Sequence, residues 1–509
     1  MAEAASQNPS RRSTSQSADD GRQLAALDLG SNSFHLLVAQ ESGGRLQVVD
    51  RIKEMVRLAD GLTEDKSLSD DVVTRALDCL DRFSQRLRGL APEDIRVVGT
   101  NTLRRATNAQ TFLEEAERIL GTEVEIISGR EEARLIYLGV SHALQDNAER
   151  RLVVDIGGGS TELILGRQFR AEVMESLHMG CVGMTKACFA DGKLRAGQFK
   201  DAINLARQEL EPIEQVYRDS GWDLAIGASG TILAVQDILT ELMPDQASIT
   251  LEGLKAIKKR LVDTRQIEKI SLPGLPNERA PVFAGGLAVL YGIFESLGIE
   301  EMQATNGALR EGLIYDLLGR VQRQDVREST VRSLTERYHI DQVHARRIRE
   351  TAITLLAQSA LSWGLTDPSD KLILAWAADL HEIGMDIAHS QYHKHGGYLL
   401  ENMDMPGFSR QDQHHLAMLV RSHRRKLPVD ELEFSEKVRR LAMLLRISVV
   451  LHRSRTNDPL PHVNLNVSEE DIQLEFPDDW LSRHPLTELD LETEHNYLSS
   501  IGYKLKVVT

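Results

Sequence analysis

Three cysteines in 509 residues, Cys79, Cys181 and Cys188, are too few for a disulfide framework, and a reducing, cytoplasmic setting is the expectation. Cys181 and Cys188 have no ligand cluster nearby and read as packing residues. No apolar run approaches the length of a membrane-spanning helix. The first twenty residues, MAEAASQNPSRRSTSQSADD, lack an apolar h-region, which excludes a secretory signal and leaves a disordered tail over 1–20 as the expectation. Excess positive charge is missing too. Lys and Arg number 60 against 76 Asp and Glu, a formal charge of −16. That balance excludes diffuse binding to nucleic acid or anionic lipid, but not a polyanion held in a local basic groove. There is also no Gly-Lys-Ser/Thr, so a Walker A reading fails.

What is present is the composition of a soluble globular protein, 41% hydrophobic and 27% charged, in a chain long enough for two to four domains. From 24 to 165 strands and helices alternate: LAALDLG and FHLLVAQ as a hairpin, RLQVVDRIKEMVRL extended, DDVVTRALDCLDRFSQRLRGL helical, IRVVGT a strand. NAQTFLEEAERILG and EEARLIYLGVSHAL read as helices around the strand EVEIISG, and a second hairpin follows at 151–166. The stretch 180–318 repeats the mixture. Residues 326–455 read as helices, and the last fifty or so turn extended again. The domains expected are 21–136, 137–320, 325–455 and 456–509, with the main break at GRVQRQD near 320–325.

The two hairpins echo one another. ALDLGSNSFHLLVA (26–39) aligns with VVDIGGGSTELILG (153–166), matching Asp28 to Asp155, Gly30 to Gly157, Ser33 to Ser160 and Leu36 to Leu163. A glycine-rich turn can present several backbone N–H groups to one anion. In Rossmann and P-loop motifs the glycines open a helix. Here Glu162–Leu165 is too short and too apolar for an exposed helix start. Either hairpin alone reads as a tight turn with glycines at positive φ; the pair, each preceded by an acid, points to two facing phosphate loops in duplicated domains. Asp155 and Glu162 flank the second turn, and carboxylates at a phosphate cradle call for a divalent cation, Mg²⁺ by first choice.

DLGSNSFHLLV, VGTNTLRRATN, ISGREEARLIYLGV, VVDIGGGSTEL, GASGTI and ALREGL, in that order, resemble the exopolyphosphatase/guanosine pentaphosphate phosphatase (Ppx/GppA) family over residues 24–509. The resemblance implies an α/β fold of two actin-like ATPase, ribonuclease-H-like domains closing over a phosphate site, followed by an all-helical HD-like domain and a small extended C-terminal region. It implies Gly30, Ser31, Asn32 and Ser33 as the first phosphate loop and Gly157, Gly158, Gly159, Ser160 and Thr161 as the second. Glu132 would deprotonate the attacking water, Arg104 would face the phosphate, and Asp155 and Glu162 would hold Mg²⁺, with Mn²⁺ as the alternative. Without the resemblance Glu132, like Glu131, reads as a helix-start carboxylate favoured by the dipole. Phosphoanhydride hydrolysis needs positioning, charge stabilisation and an aligned water, and this residue set supplies them. Gly227–Thr231 reads either as a strand-to-helix turn or as ligand lining.

The activity expected is an exopolyphosphatase that releases orthophosphate stepwise and processively from inorganic polyphosphate. The alternative is hydrolysis of the 5′-terminal phosphate of guanosine pentaphosphate (pppGpp), adjusting an alarmone pool. The GGGSTEL form of the second loop, with Asn101 and Arg105, favours the exopolyphosphatase branch; a GGASTEL form would favour the other. An out-of-class reading, a nucleotide-binding actin-like sensor, has no need of a base at Glu132. Within the helical part, seven of sixteen histidines fall in 381–423. Trp376–Gly384 resembles the HD phosphohydrolase fold, but His381-Glu382 replaces its His-Asp pair, and a catalytically silent domain is expected. Arg421, His423, Arg424, Arg425 and Lys426 suggest a polyphosphate groove. A homodimer is the expected assembly, on the resemblance.

Overall fold

Strand β1 (Gln23–Leu29) is apolar at almost every position because both of its faces are covered: Ala25, Leu27 and Leu29 enter one core and Leu24 and Ala26 another. It pairs antiparallel with β2 (Phe34–Ser42), which pairs with β3 (Arg45–Glu54), and parallel with β4 (Ile95–Gly99), which is followed by β5 (Val124–Ile126). The order is β3-β2-β1-β4-β5. In the second sheet β6 (Arg150–Ile156) pairs antiparallel with β7 (Thr161–Arg167) and parallel with β9 (Leu224–Ala228). With β8 (Arg170–Leu177), β10 (Ile249–Thr250) and β11 (Glu301–Thr305) the order is β10-β11-β9-β6-β7-β8. The sequence echo is therefore a topological one: each hairpin lies on one side of its sheet and a parallel crossover strand on the other. This computed structural model describes residues 22–42, 45–144, 149–244, 248–322, 324–427, 435–456 and 458–508. The tail expected over 1–20 lies outside the described residues.

One apolar core is common to both sheets. Leu24, Ala26 and Val98 meet Val153, Ile164 and Ile226 across the helices Gly129–Ala143 and Leu309–Val321. These helices cross closely because glycines face each other: a Cβ on Gly139 would lie 2.0 Å from the Ala308 carbonyl oxygen, and one on Gly312 1.8 Å from that of Leu135. The domain boundary expected between 136 and 137 falls inside Gly129–Ala143, since this helix belongs to the layer between the sheets. The helix Ala280–Leu297 amends a second expectation. Its 18 residues, at mean hydropathy 1.5, are long and apolar enough to cross a membrane, yet 78% of them are buried in the core of the second sheet. Its apolarity is explained by burial on all sides.

Beyond 325 the elements among the described residues are helices up to Leu451, followed by β12 (Asn464–Val467), β13 (Asp471–Glu475) and β14 (Lys504–Val508). A helix, Pro485–Ser499, connects the parallel pair β13 and β14, where only extended structure was expected. Its Leu486 and Leu489 are exposed, which blurs the helical period in the sequence. Leu474, Leu498 and Leu505 share one core with Trp376 and Leu444, so the small sheet and the helices are a single packed body.

That body docks on the first sheet through polar contacts. Gln411 bridges β5, accepting from Ile126 N–H at 3.0 Å and donating to Val124 O at 3.0 Å. Glu131 accepts from Gly407 N–H at 2.9 Å and from Arg134 at 2.8 Å. Arg134 and Arg96 both reach Asp316, at 2.5 and 2.6 Å, and Arg320 joins Asp316 and Glu125 to Gly407 O. Burial opposes the charge on Asp316, but the three guanidiniums outweigh it and hold the carboxyl well below the usual range. Glu131 does stand in the first helical turn, as read from sequence, and is a buried interface residue as well.

Candidate active site

The two hairpin turns face one another across a cavity of about 270 Å³. Gly30, Ser31, Asn32 and Ser33 line it from the β1–β2 turn, and Gly157, Gly158 and Ser160 from the β6–β7 turn. The glycines are there for close approach. None of Gly30, Gly157, Gly158 and Gly159 has positive φ, which corrects the tight-turn expectation. A Cβ on Gly158 would meet Ser31 Cβ at 3.1 Å, and one on Gly30 would meet Ser33 O at 2.8 Å. Among the described residues no backbone carbonyl accepts from the N–H of Gly158 or Gly159. A short turn that leaves such donors unpaired beside a cavity can hold an anion.

Four carboxylates converge on the cavity from the ends of different elements: Asp28 from β1, Asp155 from β6, Glu162 from β7 and Glu132 from the first turn of Gly129–Ala143. That helix begins where Ser128 Oγ accepts from Glu131 N–H at 3.1 Å, which aims Glu132 inward. Burial, then repulsion from Glu132, pushes Asp28 up to about 7; burial, then Glu132 and Asp28, pushes Asp155 up to about 8. Glu162 is pushed well above the usual carboxylate range for the same reasons, although Ser176 Oγ donates to it at 2.8 Å. Asp28 Oδ1 is buried with no hydrogen-bond partner. Buried, mutually repelling carboxylates with an orphaned oxygen fit a divalent cation. Mg²⁺ uses one or two carboxylates together with waters and substrate phosphates rather than a closed protein cage. Asp28 was paired with Asp155 in the sequence echo but not read as a site residue.

The other predicted positions divide. Glu132 lines the cavity, with Oε2 accepting from Arg104 Nη1 at 2.8 Å. The same Arg104 nitrogen donates to Ile127 O at 2.8 Å. The guanidinium thus faces Glu132, where the resemblance had set it facing the phosphate. Thr161 is buried and donates to Met179 O at 2.5 Å, and Gly159 packs behind the turn; neither lines the cavity. The cations that do line it are Lys53, Arg279 and Arg310, joined by His35. They come from four separate places in the chain; His35 and Arg310 fall within the motifs DLGSNSFHLLV and ALREGL but were given no role, and Lys53 and Arg279 lie outside the quoted motifs. Cys181, read as a packing residue, also lines the cavity; all three thiols are free. Ser229 and Gly230 favour the lining reading of Gly227–Thr231, with Ser229 rather than Thr231 capping the helix that follows.

In the helical body, His344, His381 and Glu382 offer ligand atoms within 4.8 Å of one another. Arg455 pairs directly with Glu382 there, so a protein cation already neutralises the acid. The expected polyphosphate groove does not form one surface. His423 is buried, its Nδ1 2.6 Å from Val420 O, and Arg424 stacks on Tyr392, 4.6 Å from the ring centre, while Arg425 and Lys426 point to solvent. Arg421 is half-buried at the end of the helix Arg410–Ser422. The chain turns Ser422 and His423 into the core and leaves Arg425 and Lys426 outside, which scatters the cluster.

The two-sheet architecture matches solved structures. An exopolyphosphatase from Cytophaga hutchinsonii aligns over 58% of this chain and 98% of its own, with TM-score 0.53 and 24% identity, a likeness of fold. Along the sequence, a relative from Vibrio cholerae is 42% identical over 486 residues, covering 95% of this chain and 97% of its own. One from Pseudoalteromonas translucida is 40% identical over 487 residues, covering 95% and 98%. Both relatives are named guanosine-5′-triphosphate,3′-diphosphate pyrophosphatase. This overturns the exopolyphosphatase expectation. Its two sequence signals turn out to be one steric pair and one bystander: a Cβ on Gly159 would lie 2.7 Å from Asn101 Oδ1, while Arg105 is exposed. Gly159 and Asn101 accommodate each other behind the turn, and neither lines the cavity. The Ppx/GppA phosphatase family matches over residues 37–321, and its domain III over 326–495. With matches that run nearly end to end, this chain belongs to the Ppx/GppA phosphatase family.

Proposed function

We propose that this chain hydrolyses the 5′-terminal phosphoanhydride of guanosine-5′-triphosphate,3′-diphosphate, giving orthophosphate and the corresponding 5′-diphosphate. The observation that carries the reading is 40–42% identity, nearly end to end, to relatives of that name. The cleft's chemistry supports it. The terminal phosphoryl group sits between the two turns, where Gly158 N–H, Ser31 and Ser33 donate and Arg310 supplies positive charge. Glu132 takes the proton of a water through Oε1, since Arg104 occupies Oε2 and fixes the carboxylate's direction. The water oxygen bonds to phosphorus as the bridging P–O bond breaks, and the electron pair leaves on the 5′-diphosphate. Asp155 and Glu162, with Asp28 beside them, are the carboxylates that would hold Mg²⁺, and the cation would supply neutralising charge for the phosphate. Lys53 and Arg279 at the cavity wall add cations for a ligand that carries phosphates at both its 5′ and 3′ ends.

The test is phosphate release from this nucleotide and from long-chain polyphosphate, side by side, with and without Mg²⁺. The nucleotide is the better substrate by kcat/KM on this reading. Polyphosphate turned over more efficiently than the nucleotide would sink it.

A further inference from the structure

His35 is a cavity-lining side chain that the mechanism above leaves without a task. It lies on β2, opposite Asp28 on β1 and Lys53 on β3, so one row across three strands points into the site. Its two ring nitrogens have different partners. Nδ1 is 3.0 Å from Arg310 Nη1, and Nε2 is 2.7 Å from Ser33 Oγ. A guanidinium can only donate, so Nδ1 must be the acceptor. A neutral imidazole with Nδ1 accepting carries its hydrogen on Nε2, which therefore donates to Ser33 Oγ. Ser33 has one hydroxyl hydrogen, and with His35 donating to it that hydrogen is free for another acceptor. Ser31 is arranged alike: Thr102 Oγ1 donates to its Oγ at 2.8 Å from behind the turn.

The imidazole is held neutral by its surroundings. Burial, then the charges of Arg310, Lys53, Arg279 and Arg51, lower its pKa well below the usual value. Of these cations Lys53 pairs with Glu278 and Arg51 with Glu311, and Asp28 is the acid across the strand.

We propose that His35 is a positioning residue, which turns the Ser33 hydroxyl outward as a donor to the substrate's terminal phosphate and holds Arg310 over the same place. The inference rests on the phosphatase reading of the cleft but needs no nucleotide. His35→Phe keeps a planar ring and removes both hydrogen bonds. His35→Gln keeps an amide N–H for Ser33. Calorimetry with inorganic phosphate should show His35→Phe binding at least about tenfold more weakly, the loss of one hydrogen bond to a charged acceptor. His35→Gln should recover part of this, and Ser33→Ala placed on His35→Gln should abolish the recovery. With the guanosine nucleotide the same loss appears mainly in KM. ¹⁵N-histidine spectra of the wild-type chain, with His35 identified by its absence in His35→Gln, should show a neutral ring protonated at Nε2 between pH 6 and 8. A ring protonated at Nδ1, or His35→Phe binding phosphate within twofold of wild type, would overturn the proposal. A wild-type chain inert toward the nucleotide would sink the substrate reading alone, leaving the phosphate and spectroscopic results to decide this one.

Discussion

At the scale of single residues, Asp28 and Asp155, like Glu162 beside them, are costly to ionise. Burial and neighbouring negative charge bring them to about 7 and about 8 from an ordinary 3.8. Between about pH 4 and 7 the unfolded chain has released both protons and the folded, cation-free chain has released neither. Folding then binds protons, so stability falls with rising pH, by up to about 1.4 kcal/mol per pH unit for each group, until the folded carboxyls ionise. A divalent cation that needs them ionised opposes this loss. The expected outcome is a cation-free Tm that falls from pH 5 to 8, with Mg²⁺ raising Tm more at pH 8 than at pH 5. Asp155→Asn should raise the cation-free Tm at pH 8 and blunt the Mg²⁺ response. A Mg²⁺ effect independent of pH would count against the carboxylate site. Asp155, Glu162 and Glu132 were legible because each sits within a short motif. Arg279 lies in no quoted motif, and His35 and Arg310, though inside motifs, gain a role only from their meeting across 275 residues.

At the scale of elements, the paired hairpins explain why glycine is needed where it is. Both turns must approach each other, and the second must also pass Asn101. Gly159→Ala places a methyl group 2.7 Å from Asn101 Oδ1, an overpacking that costs about 1–3 kcal/mol. Asn101→Ser removes the obstruction. A double-mutant cycle should therefore give a favourable coupling of about 0.5–3 kcal/mol, read as denaturant midpoints. Additive effects would show that the two positions do not share space. The hairpins themselves could be read from alternating apolar residues around Gly-Ser-Asn-Ser and Gly-Gly-Gly-Ser. β8 and β11 were harder: β11 (EMQAT) has a single fully buried apolar side chain and β8 (RAEVMESL) none, so neither carries a strong alternation.

At the scale of the whole molecule, the C-terminal body is tied to the helix that carries Glu132. Glu131, the neighbouring residue, accepts from Gly407 N–H across the interface and from Arg134, which is shared with Asp316. Removing one member of such a buried charged set leaves the others uncompensated, at a cost of about 3–5 kcal/mol. Glu131→Ala should lower Tm and expose the junction near 322–326 to limited proteolysis, while Glu131→Gln, which keeps an acceptor for Gly407, should do less. Equal proteolytic resistance in Glu131→Ala and wild type would contradict this coupling. Sequence marked the change of character near 325, but the docking mode depends on buried contacts such as Gly407 N–H to Glu131, 276 positions apart.

The central claim is that a Glu132-activated water cleaves the 5′-terminal phosphate of guanosine-5′-triphosphate,3′-diphosphate in the cleft between the two sheets. Single-turnover phosphate release from that nucleotide, by wild type and by Glu132→Gln with Mg²⁺ present, tests it most directly. The account predicts release by wild type, and a rate for Glu132→Gln lower by about 10²–10⁴-fold with nucleotide binding retained. Release by Glu132→Gln at near the wild-type rate would contradict it.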